Sequence, residues 1–75
     1  LAKEHLDKAI TLNPDDIDAN FYYGDFLNEK KEYKQAVVFY KKALSAPARP
    51  GREVADEGRR TEAAERLEKV LEKLK

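Results

Sequence analysis

The side chains that could do chemistry in this chain are few, and their spacing does not suit catalysis. His5 is the single histidine and Ser45 the single serine, and there is no cysteine. Hydrolysis by a nucleophile needs a serine or cysteine held beside a base, and nothing in the spacing links Ser45 to His5. The absence of cysteine also removes thiolate metal sites and disulfides. We therefore expect no enzymatic activity.

The acidic residues Asp15, Asp16 and Asp18 are the best candidates for a metal site. A calcium loop of the EF-hand type needs ligands at alternate positions, a central glycine and a closing glutamate, and this segment lacks that arrangement. Asp residues ahead of an apolar-periodic stretch favour helix capping instead. His5 has no second ligand at helical spacing, and the three scattered glycines form no phosphate loop. We expect neither a metal nor a cofactor.

The charges are balanced, with 15 basic and 15 acidic residues. A nucleic-acid-binding domain would show a basic excess, and anionic lipid would favour one as well. The Arg59-Arg60 doublet is flanked by Asp56, Glu57 and Glu62, which indicates a solvated, salt-bridged face. No apolar run approaches the roughly 18 residues of a membrane span. We expect neither nucleic acid nor membrane as a partner. The start at Leu1, with neither an initiator Met nor a signal-peptide pattern, suggests an excised, processed or engineered piece.

Helical periodicity organises the chain between its prolines and glycines. Apolar residues recur at helical spacing in three stretches, residues 1–12, 17–30 and 33–46, and again towards the end of 52–75. In the last stretch Val54 lies 13 positions before Leu67, about 140° off its face at 100° per residue. One straight helix would point Val54 away from the apolar stripe, whereas a break at Gly58 would reset the phase. We expect the break, with one helix as the alternative.

An internal repeat underlies this periodicity. Four residues reappear 34 positions later with the same character: Ala2, Leu6, Ala9 and Ile10 become Ala36, Tyr40, Ala43 and Leu44. A third copy follows after a further 27 positions, as Ala63, Leu67, Val70 and Leu71. The third unit has therefore lost about two helical turns.

The period and the residue types resemble the tetratricopeptide repeat. Residues 17–50 resemble one full unit, with Gly24 in the glycine position of its first helix and Ala36 and Ala43 in the small-residue positions of its second. Residues 1–16 resemble the second helix of a preceding unit, and 51–75 a truncated repeat or capping helix. The resemblance implies an all-α fold, with antiparallel helix hairpins stacked as a short right-handed solenoid.

The sequence also departs from that family pattern. Asn20 stands where a large aromatic residue is usual, and Ala48 takes the position of the closing proline. Tyr23 stands where leucine is usual, and Leu27 where tyrosine is usual. Small residues at helix crossings would still allow close packing.

The resemblance implies a binding groove, because the first helix of each unit lines a concave face in this family. The corresponding positions are Asp18, Phe21, Tyr22, Asp25, Asn28 and Glu29. We expect the rings of Phe21 and Tyr22 to lie outside the core and anchor a ligand; the alternative is that both pack against a preceding hairpin or the final helix. The acidic neighbours predict a basic or amphipathic peptide segment and argue against an acidic tail.

The function predicted in this way is that of a protein-interaction scaffold. Two alternatives remain open. The chain could be a purely structural or designed helical-repeat fragment that self-associates, giving a homo-oligomer through the face of Ala2, Leu6 and Ala9 or through the final helix. It could also be a non-catalytic accessory module of a larger protein.

Overall fold

The computed structural model describes residues 3–47 and 49–75, and these form four α-helices with no strand among them. The helices are α1 (Lys3–Leu12), α2 (Ile17–Glu29), α3 (Tyr33–Ser45) and α4 (Glu53–Lys73). The predicted all-α class is confirmed. Our expectations for Ala2 and Ala48 concern residues outside the described ranges.

The turn into α2 is fixed by two polar side chains. Asp16 is the N-cap, and its carboxylate accepts a hydrogen bond of 2.8 Å from the backbone N–H of Ala19. This confirms the predicted capping role at Asp16. Asn20, fully buried, donates from its amide nitrogen to the carbonyls of Pro14 at 2.9 Å and Asp16 at 2.8 Å. The asparagine that replaces the usual aromatic therefore ties the α1–α2 turn to α2.

The turn from α2 to α3 reverses the chain through a left-handed residue. Lys31 has a φ of 62°. Its N–H donates to the Asn28 carbonyl at 3.0 Å, and the N–H of Glu32 donates to the Leu27 carbonyl at 2.9 Å. These two bonds are the Schellman arrangement that closes a helix C-terminus. The tight reversal makes α2 and α3 an antiparallel hairpin.

The final helix is continuous, so the expected break at Gly58 is wrong. α4 runs from Glu53 to Lys73 without interruption. Val54 lies off the apolar face, as its phase relative to Leu67 predicts, and is 87% exposed. An exposed valine and one interior glycine together destabilise a helix only modestly. The packing of Ala63 and Val70, both fully buried, is enough to hold one long helix.

The core lies where α2, α3 and α4 meet. Its buried members are Ile17, Phe21, Leu27, Ala36, Tyr40, Ala43, Ala46, Ala63 and Val70. The small residues occupy the predicted contact positions, since Gly24 is buried and Ala36 and Ala43 have no exposed surface. A Cβ at Gly24 would come within 2.8 Å of the Tyr40 ring. The close approach of α2 and α3 therefore depends on glycine at this position.

The helices stack in alternating directions. α3 packs against both α2 and α4, and α1 packs against α2. Two ion pairs join α2 to α4, Asp18 with Arg59 and Asp25 with Arg66, and in both the partners are 41 positions apart. A constant separation requires α2 and α4 to run parallel. α4 therefore lies in the position of the first helix of a following unit.

The two ends of the stack, α1 and α4, have different surroundings. Leu6 of α1 is only 4% exposed and borders the same recess as Tyr22 and Phe26 of α2, so it is not part of an open end face. On α4, Gly58 lies 34 positions after Gly24, but nothing comes within 4 Å of the position of its Cβ. Exposed residues around Gly58 include Glu57 and Thr61. Most of the exposed side chains of α4 are charged or polar, although Val54 and Leu71 are exposed as well. A mostly polar outer face is typical of a helix that caps a stack.

Candidate functional site

Five of the six residues predicted to line a groove form a connected surface of α2. Tyr22 and Glu29 are exposed, and Asp18, Asp25 and Asn28 are half-buried. These five residues, Asp18, Tyr22, Asp25, Asn28 and Glu29, are called the α2 face below. The remaining predicted residue, Phe21, lies elsewhere.

The expectation that Phe21 is a groove anchor outside the core is wrong. Its ring is 1% exposed and belongs to the core cluster. The guanidinium carbons of Arg59 and Arg66 each lie 4.8 Å from the ring centroid, and the Tyr40 ring is 6.1 Å away. The alternative, packing against the final helix, is correct for this residue. The spacing of Ile17, Phe21 and Gly24 (i, i+4, i+7) was the signal that places all three on one stripe.

Tyr22 keeps a surface position, and α4 holds its ring there. The side chain is 37% exposed. Its hydroxyl accepts a hydrogen bond of 3.1 Å from Nη2 of Arg59, whose guanidinium carbon lies 5.0 Å from the ring centroid. The ring also meets Phe21 edge-on, with centroids 5.6 Å apart. Tyr22 is therefore an oriented aromatic surface and not a freely rotating one.

The two aspartates of the α2 face are neutralised from within the chain. The Asp18 carboxylate accepts hydrogen bonds from Nε of Arg59 at 3.1 Å and from Nη2 of Arg49 at 3.4 Å. The Asp25 carboxylate accepts from Nη1 of Arg66 and from the hydroxyl of Tyr40. Burial, and then the bond to Asp25, raises the pKa of the Tyr40 hydroxyl. The hydrogen bond to Asp25 likewise raises the pKa of Arg66.

Sequence reasoning missed a second ionic cluster, centred on Arg49. From the loop before α4, Arg49 donates from Nη2 and Nε to the carboxylate of Asp56, which is 1% exposed, and from Nη1 to Asp16 at 3.1 Å. The hydrogen bonds from Arg49 lower the pKa of Asp56 to about 2. Arg49 lies between two prolines, and Asp56 precedes the arginine doublet in the sequence. No local pattern joins a loop arginine to these carboxylates.

The two arginines of the doublet, Arg59 and Arg60, make different contacts. Arg59 faces α2 and also pairs with Glu62, Nη1 to Oε1 at 3.6 Å. Arg60 donates to the backbone carbonyl of Ala46 at 2.6 Å. The predicted salt-bridged face is therefore confirmed for Arg59, whereas Arg60 closes the end of α3.

Two shallow recesses flank the α2 face. The one between α1 and α2 has a volume of about 260 Å³ and is lined by Leu6, Tyr22, Asp25, Phe26 and Glu29. The one between α2 and α4 is similar in volume, about 260 Å³, and is lined by Asp25, Asn28, Glu29, Arg66 and Lys69. Asp25 and Glu29 border both recesses. Glu29 makes no ion pair with a residue in the described part of the chain.

Residues 3–47 and 49–75 contain no group of three His, Cys, Asp or Glu side chains placed to hold a metal ion, and His5 is exposed on α1. Among the helices described, none combines the length and the apolar character needed to cross a membrane.

Residues 5–38 match the family model described as "Tetratricopeptide repeat". This segment is a tetratricopeptide repeat. The matched segment begins in α1, contains all of α2 and ends in α3, so it starts 12 residues before the unit of residues 17–50. Comparison with curated proteins and with solved structures found no match. The repeat is a protein-interaction module, so the general class of function is protein binding.

Proposed function

We propose that the chain binds an amphipathic peptide segment of a partner protein on the α2 face and that it has no enzymatic activity. The observation that carries this proposal is the juxtaposition of an oriented, exposed Tyr22 with a recess that has apolar side chains, Leu6 and Phe26, on its walls. Glu29, exposed at the same recess, adds an acidic contact.

The aromatic contribution follows from how Tyr22 is held. Arg59 donates to its hydroxyl and lies over its ring, so a ligand need not immobilise the side chain itself. Tyrosine presents a large amphipathic surface at low entropic cost, and tyrosines are frequent among the residues that dominate binding energy. An apolar ligand side chain placed in the α1–α2 recess would contact Tyr22 and Phe26 together.

The charge contribution is smaller than the sequence suggested. Asp18 and Asp25 motivated the expectation of a basic ligand, yet both are paired with arginines of α4. Glu29 is the acidic residue of the α2 face that can still form an ion pair with a basic residue of the ligand. The geometry therefore supports an amphipathic segment with one basic contact better than a strongly basic one.

The proposal is tested by selecting random 15-residue peptides on the wild-type chain and measuring the affinity of an enriched peptide for purified variants. Tyr22→Ala is expected to weaken binding by about ten-fold or more, and Glu29→Gln by a smaller factor. Val38→Ala is the control, because Val38 is 48% exposed on α3, away from the α2 face. Equal affinity for wild type and Tyr22→Ala, with both proteins folded by circular dichroism, would contradict the proposal.

A further inference from the structure

Two arginines of α4 match two aspartates of α2 in both spacing and position. Asp18 and Asp25 are seven residues apart on α2, as are Arg59 and Arg66 on α4. Seven residues are about two helical turns, so each pair of like residues lies on one side of its helix. Because the helices run parallel, the residues meet as two cross-links, Asp18 with Arg59 and Asp25 with Arg66.

These cross-links occupy the positions that a basic ligand would use. Two carboxylates two turns apart, with Glu29 one further turn along, would otherwise form an acidic row suited to a helix with lysine or arginine every second turn. Both pairs remain accessible, since the exposed fractions of the side chains are 29% for Asp18, 25% for Arg59, 24% for Asp25 and 43% for Arg66. The arginines therefore act at the ligand-facing surface itself.

The position of α4 does not depend on these arginines alone. Ala63 and Val70 are fully buried in the core cluster, and α4 packs mainly on α3. Glu62 lies 3.6 Å from Nη1 of Arg59 and 4.0 Å from Nη2 of Arg66, so both arginines also pair within α4. The pairing with Asp18 and Asp25 changes the charge that the α2 face presents without being the sole attachment of α4.

We propose that Arg59 and Arg66 determine the charge selectivity of the α2 face: by neutralising Asp18 and Asp25 they exclude lysine- or arginine-rich segments and restrict the ligand to an amphipathic peptide with a basic contact at Glu29. This inference rests on the proposed binding function. It adds that the selectivity is set by α4 and not by the helix that carries the face.

The test uses two synthetic peptides and three forms of the full chain. The parent peptide is the one enriched on the wild type, and its basic form carries two lysines seven positions apart on the polar side. Wild type is expected to bind the basic form no more tightly than the parent. Arg59→Gln/Arg66→Gln is expected to prefer the basic form by about three-fold, the size expected of one freed, partly exposed carboxylate, because Asp25 loses its arginine while Asp18 keeps its contact of 3.4 Å to Arg49. The control Lys34→Gln/Lys41→Gln removes the same charge from exposed positions of α3 and keeps the wild-type preference.

Each outcome separates the inference from the proposed function. An unchanged ratio of the two affinities in Arg59→Gln/Arg66→Gln would overturn the selectivity role while leaving peptide binding intact. A preference for the basic form by wild type would overturn it as well. Should the double variant lose helicity, Arg66→Gln alone, at the more exposed pair, must shift the ratio in the same direction. Failure of Tyr22→Ala to weaken the parent peptide would instead count against the proposed function.

Discussion

At the residue scale, two glycines in equivalent repeat positions have opposite surroundings. Gly24 meets the Tyr40 ring, with 2.8 Å between the ring and the position of a Cβ, whereas Gly58 faces open space. The Tyr40 ring is fully buried and its hydroxyl donates to Asp25, so it cannot move aside easily. Identical substitutions at the two positions should therefore have opposite effects on stability.

Gly24→Ala is expected to lower the free energy of unfolding by about 1–3 kcal/mol, because overpacking outweighs the helix propensity gained. Gly58→Ala is expected to raise it by about 0.5–1 kcal/mol, because alanine restricts the unfolded chain without meeting a neighbour. Urea unfolding of both variants followed by circular dichroism measures the difference. Two shifts of the same sign would contradict this description of the α2–α3 contact.

Substitutions at the adjacent residues Phe21 and Tyr22 should also differ in their effect on stability. Phe21→Ala removes a fully buried ring and is expected to cost about 3–5 kcal/mol. Tyr22→Ala removes a partly exposed ring and one hydrogen bond, and is expected to cost about 1 kcal/mol. The measurement is again urea unfolding, with Phe21→Leu as a variant that retains most of the buried volume. Equal costs at the two positions would show that Tyr22 belongs to the core and could not serve as a ligand contact.

At the element scale, α4 is attached by one buried stripe, and most of its exposed side chains are charged or polar. Val70 is fully buried and Val54 is 87% exposed, although they lie on the same helix. Val70→Ala is expected to destabilise by about 2 kcal/mol, from lost burial and the cavity left behind. Val54→Ala should change stability by no more than about 0.5 kcal/mol. Comparable losses at both positions would indicate a break near Gly58 that turns Val54 inward.

The contribution of the Arg49–Asp56 ion pair, which ties the α3–α4 loop to α4, should depend on pH. The pKa of Asp56 is about 2 in the folded chain, below the value of about 3.9 for an unfolded aspartate. A depressed pKa contributes stability that is complete above about pH 4 and is lost as the pH falls towards 2. Asp56→Asn should melt at a lower temperature than wild type at pH 7, and the two melting temperatures should converge between pH 4 and 2. Asp15→Asn, at an exposed position of the α1–α2 turn, is the control and should follow wild type throughout.

At the scale of the whole molecule, the features that could be predicted from the sequence were those that recur with the 34-residue period. The 34-residue period located the helix hairpin and the close contacts at Gly24, Ala36 and Ala43, because periodicity and small residues report directly on which face of a helix is buried. The period did not reveal that α4 is continuous. One glycine destabilises a helix by less than the packing of that helix against the core stabilises it. The period also missed the pairs of Arg49 with Asp56 and of Arg66 with Asp25, because these depend on where α4 lies against α2 and not on any local pattern. The pairing of the acidic residues of the candidate site with arginines of α4 could not be predicted for that reason.

The claim that the α2 face binds a peptide is tested most directly by titrating ¹⁵N-labelled wild-type chain with the selected peptide and following backbone amide shifts. The account predicts the largest shifts at Tyr22, Phe26 and Glu29, with Lys34, Val38 and Lys41 on α3 unchanged. Shifts centred on α3 or on the outer surface of α4 around Gly58, with α2 unaffected, would contradict it.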